Sequence, residues 1–198
     1  PAHIIEIVDI KVTNPDGQSG TLTNGLAYTE PPPAIFSIVP IIGSTAGGTG
    51  VTITGSNFIA GAIATFGGTL ATNIVVVSET TITATTSAHS AGVVDVTVSN
   101  YDNKSVTSKD AFTYVNPPVV SSVTPGRVLR FGGDSVTISG ANFVGTPTVT
   151  FDGTEGTDVI RSGDNTITVT TPAHAIGRVK IVVTNPDGLS GTLTNRLI

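Results

Sequence analysis

The sequence contains no cysteine, no methionine and no tryptophan, and only 12% of its 198 residues are charged. Without cysteine the chain can form neither disulfide bonds nor thiolate sites, and a core of this size does not need cross-links. Cysteine usage therefore leaves the redox compartment undetermined. Because methionine is missing even at position 1, we expect that residue 1 is not a translation start and that an upstream piece, with any export signal, has been removed.

Long apolar runs and positive charge are also scarce. No uninterrupted apolar segment approaches the roughly 18 residues that a membrane-spanning helix needs, and no basic leader precedes an apolar stretch. Lys and Arg number 9 and Asp and Glu number 14, which gives a formal net charge of −5. Since the basic residues are scattered, they would not gather a phosphate backbone. The composition argues against a nucleic-acid partner and against a membrane span in this segment.

A long repeat is the main feature that the sequence does contain. Residues 1–17 recur almost intact at residues 172–188, and a looser copy lies at residues 87–103. The motif Gly55-Ser56-Asn57-Phe58 likewise returns as Gly140-Ala141-Asn142-Phe143. A period of 85 or 86 residues is too long for solenoid units of roughly 20 to 50 residues and suits an autonomous β-sandwich of about 100.

The repeat predicts three units that are cut out of phase. Residues 1–30 would be the C-terminal remnant of one repeat, residues 31–115 a complete repeat, and residues 116–198 a nearly complete one. The third unit is expected to lack the end of its last strand, because it stops before any equivalent of Phe112-Thr113-Tyr114. A lone remnant would leave strand edges and one face uncovered. We therefore expect it to pack against another chain or against the front half of its own repeat.

Proline-rich joints precede the second and third units, at residues 31–33 and 117–118. Proline fixes φ and biases its neighbours toward extended backbone. The linkers are therefore predicted to be short and semi-rigid, which favours an extended rod over a folded-back pair.

Short strands are predicted throughout each repeat. Apolar residues alternate with polar ones at the same places in every copy: Val8, Ile10 and Val12; Val94, Val96 and Val98; Val179, Ile181 and Val183. This period of two is typical of a strand with one solvent-facing side, and turn pairs such as Gly47-Gly48 separate the strands. No stretch has helical spacing. The predicted fold class is all-β, with tandem immunoglobulin-like β-sandwiches of roughly seven strands each.

A set of residues distributed over the second repeat resembles the IPT/TIG family of immunoglobulin-like domains. It comprises Pro40, Gly47-Gly48-Thr49, residues 51–58, Phe66-Gly67-Gly68 and Ala111-Phe112-Thr113-Tyr114. The third repeat carries it again as Pro125, residues 136–143 and Phe151-Asp152-Gly153, where aspartate replaces a turn glycine. The resemblance implies domains of the kind found in prokaryotic surface arrays, receptor ectodomains, accessory modules of carbohydrate-active enzymes and some transcription factors. It implies no catalytic motif, because the fold is shared and the function is not.

His3, His89 and His174 are candidate metal ligands because they recur with the repeat. They occupy the same place in successive units, and a six-residue strand alone is about 20 Å long. A single site shared by all three is therefore excluded in an extended chain. A position in the loop before the following strand is the expected role.

Three acidic turns leave two interpretations open: Asn14-Pro15-Asp16-Gly17, Asn100-Tyr101-Asp102-Asn103 and Asn185-Pro186-Asp187-Gly188. Calcium requires about six to eight oxygen ligands, and each turn offers three at most before backbone and water. Turn formation explains the same residues, since Asn and Asp cap their own backbone and glycine adopts positive φ.

No enzymatic motif is present. Gly47-Gly48-Thr49-Gly50 is glycine-rich, but no lysine and no helix follow it, so it does not predict a phosphate loop. The sequence has no Gly-x-Ser-x-Gly elbow leading from strand to helix, and no carboxylate pair can be nominated for glycoside hydrolysis. We nominate no catalytic, cofactor-binding or metal-ligating residue.

The aromatic residues are expected to fill the cores, which is the prediction for Phe58, Phe66, Phe112, Tyr114, Phe143 and Phe151. Only Tyr101 is expected to be exposed, at a turn where the other copies carry proline. One tyrosine makes a small platform for a sugar.

Taken together, these features predict a non-catalytic structural or adhesive module of an extracellular surface protein or fibre. Its expected partners are neighbouring repeats or copies of the same protein. The alternative is an accessory carbohydrate- or protein-binding module of a secreted enzyme. DNA binding is the third interpretation, which the family permits and the charge opposes.

Overall fold

The computed structural model describes residues 7–197, and of Asn195, Arg196 and Leu197 only the backbone. The described chain is all-β, as predicted, and within it no helix is long and apolar enough to cross a membrane. His3, one of the three candidate histidines, lies outside the described residues.

The strands fall into three successive groups. The first is β1 (Ile7–Thr13) and β2 (Ser19–Ala27). The second is β3 (Ala34–Val39), β4 (Ile42–Ser44), β5 (Gly50–Ser56), β6 (Ile63–Phe66), β7 (Thr69–Leu70), β8 (Thr72–Ser78), β9 (Thr81–Thr85), β10 (Gly92–Ser99) and β11 (Ser105–Val115). The third is β12 (Val119–Thr124), β13 (Ser135–Ala141), β14 (Thr148–Phe151), β15 (Thr154–Glu155), β16 (Thr157–Ser162), β17 (Thr166–Thr170), β18 (Val179–Thr184) and β19 (Ser190–Leu197).

Each of the two larger groups forms a pair of sheets. In the second group these are β3-β5-β9-β8 and β4-β11-β10-β6-β7, and in the third group β12-β13-β17-β16 and β15-β14-β18-β19. The first group is a two-stranded antiparallel sheet, β1-β2. We refer to β3-β5-β9-β8 and β12-β13-β17-β16 as the front sheets, because they come first in each repeat.

The alternation read from the sequence places the core between the sheets. Val51 and Ile53 of β5 are buried, whereas Thr52 and Thr54 are exposed. The second and third groups have separate hydrophobic clusters. All six aromatic residues predicted to be internal are buried: Phe58, Phe66, Phe112, Tyr114, Phe143 and Phe151. These six aromatic side chains are thus used by the interior of their own repeat.

The strand register corrects the predicted end of the third repeat. In the second repeat Val94 pairs with Phe112, and in the third repeat Val179 pairs with Leu197. Leu197 therefore stands in the register where Phe112 stands, so the third repeat reaches one position further into its last strand than the sequence comparison placed it.

Candidate protein-interaction sites

The two described histidines lie in loops, as expected, and each fixes its own loop. His89 Nδ1 lies 2.8 Å from the carbonyl oxygen of Ser90, and His174 Nδ1 lies 2.8 Å from that of Ala175. In the third repeat His174 Nε2 also lies 3.3 Å from Asp152 Oδ2. Within residues 7–197, no three His, Asp or Glu side chains come together as a set that could hold a metal ion.

His89 packs on a buried tyrosine at the end of the second repeat. Its ring stacks on that of Tyr114, with centroids 4.9 Å apart and planes at 20°. The Tyr114 hydroxyl donates a hydrogen bond to the carbonyl oxygen of Ser87 at 3.1 Å. Burial raises the pKa of the Tyr114 phenol, and its hydrogen bond with Thr86 acts in the opposite direction. This histidine therefore has a packing role in addition to its place in the loop.

The acidic turns use their side chains on their own backbone. Asp16, Asp102 and Asp187 each accept a hydrogen bond through Oδ1 from the amide two residues later, at 3.0, 3.1 and 2.9 Å. Asn100 is buried, donates to the carbonyl of Asn57 at 2.8 Å and accepts from the amide of Ile59 at 3.2 Å. These contacts support the turn interpretation of the motif.

The glycine-rich loop at residues 47–50 also uses its backbone amides for hydrogen bonds within the protein. Gly47 donates to the carbonyl of Ser44 at 2.9 Å and Gly48 to that of Thr86 at 2.8 Å. Both glycines have φ near +80°, at 76° and 80°. A phosphate cradle needs amides that point to a ligand, and these two point to the protein.

The prediction that Tyr101 is the only exposed aromatic is wrong. Tyr101 is exposed, at 66%, but Phe36 and Phe131 are more exposed, at 70% and 75%. The register of β3 against β5 shifts between Ile35 and Ser37, and this irregularity turns Phe36 out of the inward alternation. Phe131 lies in a loop, with the Arg130 guanidinium 4.5 Å from its ring centroid. These three rings lie on different elements.

The β1-β2 hairpin presents a larger apolar surface. Ile10 pairs directly with Leu22, and Val8 with Leu26, so these side chains share one face with Val12. Ile10, Val12, Leu22 and Leu26 are all exposed. We call this surface the hairpin face.

Two residues of the hairpin face, Ile10 and Val12, have counterparts that both other repeats bury. Val12 corresponds to Val98 and Val183, and both of these are completely buried; Ile10 corresponds to Val96 and Ile181, which are buried as well. The sequence predicted this alternation in all three copies. It also predicted that residues 1–30 alone would leave one face uncovered, and among residues 7–197 no front sheet covers the hairpin.

No curated protein matches the sequence. Among solved structures, the chain is similar to the plexin A4 full extracellular region, with 22% identity over 89% of this chain and 19% of that chain and a TM-score of 0.47. It is also similar to SGBP-B from a complex xyloglucan utilization locus in Bacteroides uniformis, with 20% identity over 84% of this chain and 49% of that chain and a TM-score of 0.38.

The chain therefore spans less than half the length of each of these proteins. A family model described as IPT/TIG domain matches residues 33–114 and, a second time, residues 118–196. Because these two matches cover most of the sequence, the chain belongs to the IPT/TIG domain family.

Proposed function

We propose that the chain is a non-catalytic scaffold and protein-interaction segment of an extracellular surface protein or fibre, with repeat units at residues 1–30, 31–115 and 116–198. The observation that carries the proposal is the hairpin face. It is half of the apolar interior of a sandwich, presented at the surface. Its partner is a front sheet of the same repeat type.

The size of the hairpin face supports a tight association. Burying a large aliphatic side chain contributes about 1.5–3 kcal/mol, and the face carries four exposed ones, Ile10, Val12, Leu22 and Leu26. The summed free energy of burying these four side chains exceeds the free energy of unfolding of an isolated two-stranded hairpin, which is only marginally stable in water. A covering sheet therefore stabilises both itself and the hairpin.

The chemistry of the partner follows from the covered copies. In the third repeat, Val136 and Ile138 of β13 and Ile167 of β17 belong to the same buried cluster as Ile181 and Val183 of β18. Since β1 carries the counterparts of these β18 residues, a front sheet with an inward row of Val and Ile is complementary to the hairpin face.

A fusion protein tests this association. Because residues 1–3 repeat residues 172–174, a second copy of residues 116–171 can be placed directly before Pro1. Amide hydrogen exchange over residues 7–27 is expected to slow by about tenfold or more. The matched control carries Ile138→Asp in the added copy, and its hairpin should exchange as fast as in the unfused chain. Equal exchange in all three proteins would refute the proposal.

The scaffold role rests on further observations. The solvent-facing sides of the front sheets are rich in threonine rather than in charged residues. The Lys104 ammonium donates a hydrogen bond to the backbone carbonyl of Glu30, which precedes the second repeat. Small-angle scattering of the chain should give an extended particle, as expected for stiff proline linkers. A compact particle would contradict the role of a spacer.

Carbohydrate binding is the second candidate function, favoured by the exposed ring of Tyr101. Aromatic rings in an exposed position provide flat apolar contact area. Binding to a glycan array that is lost in Tyr101→Ala and kept in Tyr101→Phe would support it. Absence of binding by the unaltered chain would remove it.

A further inference from the structure

The end of the third repeat contains an open cavity of about 400 Å³. Its wall includes Phe151, Thr171, His174 and Val179. These four residues correspond, at the repeat spacing, to Phe66, Thr86, His89 and Val94 of the second repeat. The cavity can therefore be compared with a site of known content in the same chain.

In the second repeat the corresponding space is filled by Tyr114. This side chain is almost completely buried, stacks on His89, and packs edge-on against Phe112 with centroids 5.1 Å apart. It is hydrogen-bonded with Thr86. The second repeat thus uses one phenol to fill the space and to satisfy the polar groups around it.

The backbone around the cavity is held as it is around Tyr114. Gly133 donates to the carbonyl of Thr171 at 2.9 Å, as Gly48 does to that of Thr86 at 2.8 Å. His174 donates from its amide to the carbonyl of Arg130 at 2.9 Å, and the matching bond of His89 is 3.0 Å long. The backbone around the cavity therefore makes the same hydrogen bonds as the backbone around Tyr114.

A buried threonine hydroxyl lies in the cavity wall. Thr171 is only 5% exposed, and its Oγ1 has no hydrogen-bond partner among the described residues. Its counterpart Thr86 accepts from the amide of Thr49 at 3.2 Å and is also hydrogen-bonded with Tyr114. Unsatisfied buried polar atoms are rare in folded proteins, and each calls for a partner. A phenolic hydroxyl supplies one here.

The register of the last strands shows how a ring would reach the cavity. Phe112 and Tyr114 are two residues apart on β11, so they share its inward side. Leu197 of β19 has the register position of Phe112. The position of Tyr114 therefore lies two residues beyond Leu197, on backbone that prolongs β19.

The edge that would receive this backbone is also present. In the second repeat, β4 pairs in parallel with Thr113, Tyr114 and Val115 of β11. Residues 127–129 correspond to β4, and within the described chain they form no strand. The rim carries exposed Leu129 and Ile176, where the second repeat has Ser44 and Ala91.

We propose that this cavity is a receptor site for a tyrosyl side chain carried on polypeptide that prolongs β19. The ring lies against His174 and Phe151, its hydroxyl pairs with Thr171, and its backbone pairs with residues 127–129. This proposal concerns the third repeat alone and does not depend on what covers the hairpin face.

Three versions of the full chain test the proposal, extended after Ile198 by Tyr-Val-Asn, Phe-Val-Asn or Ala-Val-Asn. With tyrosine, amide exchange of β18 is expected to slow by about tenfold or more relative to alanine, with phenylalanine in between. The tyrosine should resist acrylamide quenching. Equal exchange in the tyrosine and alanine versions, or a quenchable added ring, would overturn the proposal.

A substitution and a free peptide complete the test. In Thr171→Val, the tyrosine version should protect the β18 amides no better than the phenylalanine version. Both should still protect them better than the alanine version. An unchanged tyrosine advantage would refute the pairing with Thr171. Acetyl-Tyr-Val-Asn-amide added to the unextended chain is expected to protect β18 far less, because it lacks the effective concentration of a linked strand. Equal protection by the peptide would refute delivery by β19.

Discussion

The side-chain amide of Asn57 donates a hydrogen bond to the backbone carbonyl of Pro32 at 2.9 Å, across 25 residues of chain. Asn142 makes the same contact with Pro117 at 3.0 Å in the third repeat. Both asparagines have positive φ, 58° and 60°. One residue type therefore forms the turn and ties the proline linker to the body of its repeat.

Substitutions at Asn57 separate these two roles. Asn57→Gly keeps the positive φ and loses the hydrogen bond, so it should cost about 1 kcal/mol of unfolding free energy. Asn57→Ala also forces an unfavourable left-handed conformation and should cost about 1–2 kcal/mol more. Urea unfolding measures both values. Equal losses for the two variants would contradict the role of φ.

Asn100 and Asn14 occupy the same position in two repeats and should respond differently to alanine. Asn100 is buried with both side-chain polar atoms bonded, so Asn100→Ala leaves a carbonyl and an amide of the backbone without partners. We expect a loss of about 2 kcal/mol or more. Asn14 is exposed, and Asn14→Ala should change the unfolding free energy by less than about 0.5 kcal/mol. Similar losses in both variants would show that the turn, not burial, sets the cost.

The raised pKa of Tyr114 predicts alkaline destabilisation of the second repeat. Burial makes the folded state hold the phenolic proton more tightly than the unfolded state, whose pKa is about 10. The protonated Tyr114 phenol therefore contributes fully to the free energy of unfolding below about pH 10, and this contribution is lost as pH rises through the raised pKa of the folded state. Exchange of β10 amides, corrected for intrinsic rates, follows this loss.

Tyr114→Phe is the matched control for the alkaline effect, because it keeps the ring and removes the proton. Between about pH 9 and about pH 11, a range around the ordinary pKa of a phenol, the free energy of unfolding of Tyr114→Phe should fall less than that of the unaltered chain. Tyr101→Phe should behave like the unaltered chain. A parallel fall in all three proteins would assign the effect to other groups.

Ile10 and Ile181 are equivalent in sequence, yet a charge at the two positions should have different effects. Ile181 is completely buried, and Ile181→Asp places an unpaired carboxylate in the core of the third repeat. We expect a loss above about 4 kcal/mol. Ile10→Asp should alter the unfolding of the two sandwiches by less than about 0.5 kcal/mol, since Ile10 is exposed. Chemical denaturation followed by hydrogen exchange resolves the repeats, and a large loss with Ile10→Asp would mean that the hairpin face is covered within the chain.

Much of the fold could be predicted because its determinants are local. The alternation of Val51 to Thr54 gives a strand with one wet side, and positive-φ turns follow from pairs such as Gly47-Gly48. The recurring motifs also identified the buried Phe58 and Phe143 correctly. Local patterns of this kind require no knowledge of which sheet lies opposite.

The candidate sites could be predicted less well. The exposure of Phe36 depends on a register shift between two strands, and the cavity at Thr171 depends on the absence of one ring from a shared site. The register shift has no motif in the linear sequence, and the repeat pattern gave the end of the third unit but not the cavity. The repeat spacing indicated where the third repeat stops relative to Phe112-Thr113-Tyr114, and the pairing of Leu197 with Val179 gave the register of its last strand.

The sequence by itself determined that Val12, Val98 and Val183 belong to equivalent strands with an apolar side. Only the tertiary structure decided their surroundings: Val12 is 64% exposed, whereas Val98 and Val183 are both 0% exposed. Alternation along a strand is a property of one segment, but burial requires a second sheet at about 10 Å. Identical strand patterns therefore form a core in two units of this chain and an uncovered surface in the other.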